Sequence, residues 1–231
     1  MTLLNISPFA ISRWGAFFNH FDLFFKGFLY TLGISFGALL LALILGILSG
    51  GLSTSKSKVG KLISRIYVEV FQNTPLLVQM VFVYYGLAII SNGHVMISAF
   101  FTAVLCVGLY HGAYISEVIR SGIEAVPKGQ TEAALAQGFT ANQTMQLIIL
   151  PQAVRTILPP MTNQVVNLIK NTSTVAIISG ADIMFVAKAW AYDTTNYIPA
   201  FVGAAIFYFV ICFPLASWAR KQEELNKKTY S

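Results

Sequence analysis

The chain has 231 residues, of which 56% are hydrophobic and only 10% charged. A soluble globular domain carries about 25% charged residues, so this composition, with a mean hydropathy of +0.68, argues against a soluble enzyme, a disordered chain or a disulfide scaffold. The formal charge of +6 reads as Lys and Arg gathered in loops on one side of a bilayer, not as a nucleic-acid surface.

A membrane span needs about 20 apolar residues to cross about 30 Å of hydrocarbon. The first 26 residues carry Arg13, Asp22 and Lys26 and lack the basic start, clean apolar core and cleavage site of a signal peptide. The apolar run that follows is therefore expected to remain as a span. It covers residues 27–55, without a charge. Residues 70–116 are again uncharged but too long for one crossing, and Ser91-Asn92-Gly93-His94 divides them into spans at about 75–90 and 95–119. A less apolar fourth span is expected at 157–178 and a fifth within 194–219. The Gly residues at 33, 37 and 46 offer span one close-packing surfaces. Cys106 and Cys212 lie inside apolar runs without metal-ligand spacing and read as small packed hydrophobes. The fold class is all-α, one polytopic membrane protein of five helices.

Orientation follows from the cations. Lys56, Lys58, Lys61, Arg65, Arg120, Lys128, Arg155, Arg220, Lys221, Lys227 and Lys228 fall on one side of a five-span chain, and Arg13, Lys26 and Lys188 on the other. The positive-inside rule then places the N-terminus outside and the C-terminus in the cytoplasm. The expected division is an extracellular segment 1–26, a transmembrane domain 27–219 and a cytoplasmic tail 220–231. Tyr84, Tyr85, Trp190, Tyr192 and Tyr197 read as the outer aromatic belt and Trp218 as the inner anchor. Glu117 and Arg120, three apart, suit an interfacial ion pair.

The cytoplasmic segment at about 124–151 has more structure than a plain loop. Pro127 and Gly129 punctuate it, residues 131–136 form a short helix, Gly138 stops that helix, and Asn142 is placed to cap a second one. Its Ala-rich face suits a groove in another protein, although an ordinary surface hairpin has the same periodicity.

The spacing Glu132-Ala133-Ala134, then Gly138, then Ile148 and Leu150-Pro151 resembles the EAA loop of ABC-importer permeases. Five further stretches resemble the polar amino acid uptake branch of that family, its glutamine/glutamate-like members in particular. They are Gln72-Asn73-Thr74-Pro75-Leu76-Leu77-Val78-Gln79, Tyr114-Ile115-Ser116-Glu117-Val118-Ile119-Arg120-Ser121-Gly122-Ile123, Val126-Pro127-Lys128-Gly129-Gln130, Pro159-Pro160-Met161-Thr162-Asn163-Gln164 and Leu168-Ile169-Lys170-Asn171-Thr172-Ser173. All occur in order over about residues 25–220. The family often has Arg at the place of Gln72 and Asp at the place of Asn171.

The resemblance implies a type I importer permease fold in a bacterial cell membrane. It implies that Glu132, Ala133, Ala134, Gly138, Leu150 and Pro151 belong to a coupling element that docks on a separate ATPase subunit dimer. ATP and Mg would sit on that partner. The chain has no phosphate loop of its own and no metal-ligand or paired-carboxylate array. No cofactor is expected on this chain, and it is read as a transport subunit, not an enzyme. The further partners implied are a second permease, identical or paralogous, and an extracellular or periplasmic solute-binding protein.

Span four carries a polar stripe. Asn163, Asn167, Lys170 and Thr174 follow helical spacing, with Gln164 and Asn171 beside them. Such groups in hydrocarbon need partners or water. The stripe suits a substrate pathway near a two-fold axis or a polar seam between subunits, and one surface can serve as both. Pro159-Pro160 suggest a bend at the helix start. Gln79, one turn into span two, bonds a neighbouring helix or faces the pathway, and His111 in span three is either packed in the core or lines a cavity.

Among relatives that carry basic amino acids, acidic residues often occupy the places of Gln164 and Asn171. Here both are amides, and Lys170 is the one ionised residue deep in a span. The expected substrate is a polar amino acid with a neutral amide or acidic side chain, with basic amino acids as the alternative. A secondary amino acid transporter would call for inverted repeats and proton or sodium sites, which the sequence does not display. A receptor or scaffold would not need the polar stripe.

Overall fold

A computed structural model describes Ser7 and residues 10–230. Among the described residues every regular element is helical: α1 (Ile11–Asn19), α2 (Phe21–Thr54), α3 (Lys58–Gln72), α4 (Leu76–Ile90), α5 (Ala99–Glu124), α6 (Lys128–Ala136), α7 (Ala141–Ile178), α8 (Ile183–Thr194) and α9 (Tyr197–Tyr230). Three helices, Phe21–Thr54, Ala99–Glu124 and Tyr197–Gln222, are each long and apolar enough to cross a membrane. Two bent pairs, α3 with α4 at 95° and α7 with α8 at 46°, raise the count to five if each pair is one span.

Span one is longer than its uncharged run. α2 begins at Phe21, ahead of Lys26, and Asp22 and Lys26, one turn apart in its first turns, form an exposed pair at 3.6 Å. The beginning of the expected segment 1–26 lies outside the described residues, and the tail at 220–230 continues α9 without a break.

α3 and α8 correct the expectation of plain loops. Four charges (Lys58, Lys61, Arg65 and Glu69) hid α3 from a search for apolar runs. Ser57 caps it, its Oγ accepting from Gly60 N at 3.1 Å. Val59, Leu62, Ile63, Ile66 and Val70 are exposed on one side, while Gly60, Ser64 and Val68 pack against the protein. Pro75 cannot continue the backbone ladder, and the chain turns there. Gln79 spans the bend, its Nε2 donating to Phe71 O (3.2 Å), Thr74 O (3.2 Å) and Thr74 Oγ1 (2.7 Å). The reversal expected at 91–94 is present, with Asn92 and Gly93 at positive φ (51° and 82°).

The helix expected to start near 157 instead begins at Ala141 and runs through Pro159-Pro160 without interruption. Proline φ is compatible with a helix even though the N–H is missing. The break falls at the other end. Residues 172–178 tighten to a 3-10 helix, and Ser179 turns left-handed at φ 57°. Asp182 then caps α8 by accepting from Met184 N and Phe185 N, both at 3.1 Å. This carboxylate is fully buried, with Tyr208 Oη donating to it from α9 at 3.3 Å. Thr31 Oγ1 on α2 accepts from Ile183 N at 3.1 Å. Non-helical backbone is tolerated at membrane depth where protein groups satisfy it in this way.

The core is centred on α2, α4, α5 and α7 around Ile34, Met80, Val107, Ile115, Leu168 and Val175. A second cluster joins α1, α2, α8 and α9 through Phe17, Phe24, Trp190 and Ala204. Trp190 is therefore not a member of the aromatic belt: it is 4% exposed, with its ring 5.5 Å from Phe24 and 6.2 Å from Phe17. Tyr85, Tyr192 and Tyr197 do lie on the surface. Both cysteines are buried thiols. α2 and α5 approach closely through small residues. A methyl added at Gly46 would overlap Ile115 Cγ2 and stand 3.1 Å from Gly112 O. Ser116 Oγ donates to Ser49 Oγ at 2.9 Å, and Ser49 meets Ser64 at 2.8 Å, tying α5, α2 and α3.

Gly46→Ala should destabilise the folded chain by about 1–3 kcal/mol through overpacking. Gly51→Ala, where nothing lies within 4 Å, should not. Thermal unfolding of the detergent-solubilised protein distinguishes the two.

Candidate functional site

α7 presents part of its polar stripe to α5, and the two helices line a cavity of about 270 Å³ that is open on one side. Gln164, Asn167, Lys170 and Asn171 line one wall, and Tyr110, His111 and Tyr114 the other. Its size is at the small end of ligand sites, which run from about 300 to 1,000 Å³. Four of the seven residues expected along a substrate pathway are thus brought together.

The other three lie apart from that lining. Asn163 is exposed on the preceding turn. Thr174 bonds locally, its Oγ1 donating to Asn171 O at 2.7 Å and approaching Met80 Sδ at 3.9 Å. Gln79 is engaged at the bend between α3 and α4.

His111 answers both alternatives left open for it. It is 2% exposed, yet its ring edge lines the cavity. Its Nδ1 faces Gln164 Oε1 at 3.4 Å, and its Nε2 lies 3.0 Å from Asn171 Nδ2. Tyr110 and Tyr114, one turn apart, bring their hydroxyls within 3.2 Å of each other. Tyr110 and Tyr114 were not assigned to the site from the sequence, and His111 was left between core and cavity. Their signal is Tyr110-His111 with Tyr114, a polar patch at helical spacing inside an otherwise apolar run. Lys170 is exposed on the cavity wall, and no carboxylate lies within ion-pair distance of it among the described residues. The cavity therefore offers one ammonium, three amides and two phenols, and can hold a ligand by charge and by hydrogen bonds of both senses.

The second candidate element is the hairpin of α6 and the start of α7. Glu132 and Ala133 are exposed on α6, and Ala134 is buried against the rest of the hairpin. Gly138 ends α6 at φ 88°, a conformation glycine adopts without steric cost, and Phe139 N then closes back on Ala134 O at 3.1 Å. The cap of the next helix is Thr140, not Asn142. Thr140 Oγ1 accepts from Gln143 N at 3.3 Å, and Gln143 Oε1 accepts from Thr140 N at 2.8 Å, a reciprocal capping box. Thr140 wins because it lies three residues before a glutamine. Leu150 and Pro151 remain exposed. A crevice of about 700 Å³ separates the hairpin from the ends of α2 and α5, between Gly51, Thr54 and Ile123 on one side and Leu135, Met145 and Leu150 on the other. Arg120 marks that end of α5, with Nη2 at 2.7 Å from Glu117 and Nη1 at 2.6 Å from Glu124.

The family model described as "Binding-protein-dependent transport system inner membrane component" matches residues 42–224. The chain belongs to this family. It is similar to the probable glutamine ABC transporter permease protein GlnM of Bacillus subtilis, with 34% identity over 213 residues, covering 92% of this chain and 97% of that protein. The putative glutamine transport system permease protein GlnP of Rickettsia felis is 36% identical over 187 residues, covering 80% and 85%. A solved structure described as an amino acid ABC transporter with histidines superposes with a TM-score of 0.83 at 32% identity, over 90% of this chain and 96% of that one. The family match includes both the cavity and the hairpin.

Thr140→Ala should cost the hairpin about 0.5–2 kcal/mol. Faster amide hydrogen exchange over residues 141–149, with exchange in α5 unchanged, is the expected result.

Proposed function

We propose that the chain is the permease subunit of an ATP-driven bacterial importer of polar amino acids with amide or acidic side chains: glutamine, asparagine, glutamate or aspartate. The observation that carries this reading is the cavity between α5 and α7. It has the Lys170 ammonium, the three amides of Gln164, Asn167 and Asn171, and no carboxylate in its lining. The α-carboxylate of the solute pairs with Lys170, whereas the cationic side chain of arginine or lysine meets a like charge and no carboxylate in the lining. An ionisable residue held at membrane depth without an ion-pair partner is itself a mark of a transport pathway. The names of the curated relatives point to glutamine, and the solved relative described with histidines keeps basic amino acids as the second reading.

In this reading the α6–α7 hairpin docks on a separate ATPase subunit, through Glu132, Ala133 and the turn at Gly138, with Leu150 and Pro151 beginning the rigid helix behind it. ATP and Mg are held by that ATPase dimer. Its closure pushes the hairpin, and α7 carries the displacement along one continuous helix to Gln164 and Lys170. A second permease subunit completes the pathway, Asn163 and Asn167 face it or the solute, and a solute-binding protein delivers the amino acid on the outer side. The N-terminus lies outside and the C-terminus in the cytoplasm.

Uptake by the reconstituted importer tests the substrate. Excess glutamine or glutamate should compete and excess arginine should not; the reverse pattern would overturn the reading. Gln164→Glu adds a negative charge to the cavity and should depress uptake of acidic amino acids at least about tenfold more than uptake of neutral ones. For coupling, Gly138→Asp forces a side chain into the left-handed turn, and Glu132→Lys reverses the exposed charge. Each should release the ATPase on purification or separate ATP hydrolysis from uptake. Retained ATPase with normal uptake in both variants would remove the docking assignment.

A further inference from the structure

His111 ties together two amides of the cavity. Both of its ring nitrogens are taken by α7, Nδ1 facing Gln164 Oε1 at 3.4 Å and Nε2 facing Asn171 Nδ2 at 3.0 Å. An amide nitrogen only donates and an amide oxygen only accepts. Nε2 therefore accepts from Asn171, Nδ1 donates to Gln164, and the ring is the neutral Nδ1–H tautomer. The two amides, seven residues apart on α7, are then held in opposite senses. Gln164 gives its oxygen to His111 and keeps its amino group free; Asn171 gives its amino group and keeps its carbonyl free. Burial of the ring at 2% exposure leaves it little room to release either.

We propose that His111 is a positioning residue that makes the cavity select a primary carboxamide over a carboxylate, by presenting Gln164 as a donor and Asn171 as an acceptor. The proposal rests on the cavity being the substrate route argued above. A side-chain amide has one oxygen and one NH2 and satisfies both. A side-chain carboxylate has only acceptors, so it satisfies Gln164 but sets its oxygens against the Asn171 carbonyl. Lys170, on the same wall, takes the α-carboxylate that both ligands share and does not discriminate between them.

The test is binding of glutamine and of glutamate to the purified permease–ATPase complex without solute-binding protein, by equilibrium dialysis. Glutamine is expected to bind at least about tenfold more tightly than glutamate. His111→Phe keeps the bulk and removes both hydrogen bonds, and should bring the two affinities within about twofold of each other. His111→Gln supplies one N–H and one oxygen in place of the two ring nitrogens, and should restore the preference. A preference for glutamate in the wild type, or an undiminished glutamine preference in His111→Phe, would overturn the proposal.

Magnetic resonance of isotope-labelled imidazole nitrogens, in protein with His20 and His94 replaced by asparagine, needs neither ligand nor a His111 variant. The Nδ1–H tautomer is expected. The Nε2–H tautomer or an imidazolium would overturn the role of His111 even if glutamine still bound, leaving the substrate route standing. Binding of neither amino acid by a complex with the Nδ1–H tautomer would instead overturn the substrate route, and the selectivity with it.

Discussion

The close approach of α2 and α5 governs the arrangement of the other helices. Lipid tails are as apolar as leucine, so helices in a bilayer associate through van der Waals fit and hydrogen bonds between them. Gly46 against Ile115, Gly50 against Ile119 and Gly108 against Leu41 let the two backbones meet. Ser49, Ser64 and Ser116 then join α3 to the same seam through buried hydroxyls. Tyr67 Oη donates to Leu109 O from α3 at 2.7 Å, and Gln72 Nε2 to Ala113 O at 3.2 Å. With two of its sides held in this way, α5 turns Tyr110, His111 and Tyr114 toward α7.

The same physics explains where the chain departs from straight spans. A break in a helix frees backbone groups that hydrocarbon cannot satisfy, and at three of the breaks a side chain supplies a partner. Gln79 does so at the bend between α3 and α4, Ser91 at the reversal before α5, and Asp182 and Thr31 at the start of α8. Asp182 is the costliest of these, because a buried carboxylate must find several donors to be tolerated. It finds two backbone amides and the Tyr208 hydroxyl, which draws α9 onto α8.

The polar groups of the cavity are of a different kind. His111 bonds Gln164 and Asn171 across two helices and leaves each amide one free group, while Lys170 and Asn167 remain exposed on the wall. A half-buried pair of amides held by a buried ring is constrained, and an ammonium on a flexible stem is adaptable. The cavity joins both in one place, next to a helix that runs unbroken from the hairpin. That continuity depends on Pro159 and Pro160 staying within α7, so the second arm of the hairpin and one wall of the cavity lie on one helix.

The sequence by itself determined the membrane class, the uncharged cores of the spans, the reversal at 91–94, the hairpin around Gly138 and the polar stripe of α7. Each is written in local composition or in helical spacing, and local backbone preference or burial in lipid enforces it. It did not reveal α3, whose charges mask an amphipathic helix, or α8, which is too short to read as a span. Trp190 looked like a surface anchor until Phe17 and Phe24 closed around it. Asn142 looked like a cap, although Thr140, three residues before Gln143, already has the spacing of the capping box that forms. Tertiary structure alone decided that Gln79 serves a bend while Gln164 serves a cavity, and that His111 joins the amides of α7. Those assignments depend on which faces of distant helices meet, and interhelical packing sets that rather than spacing along one chain.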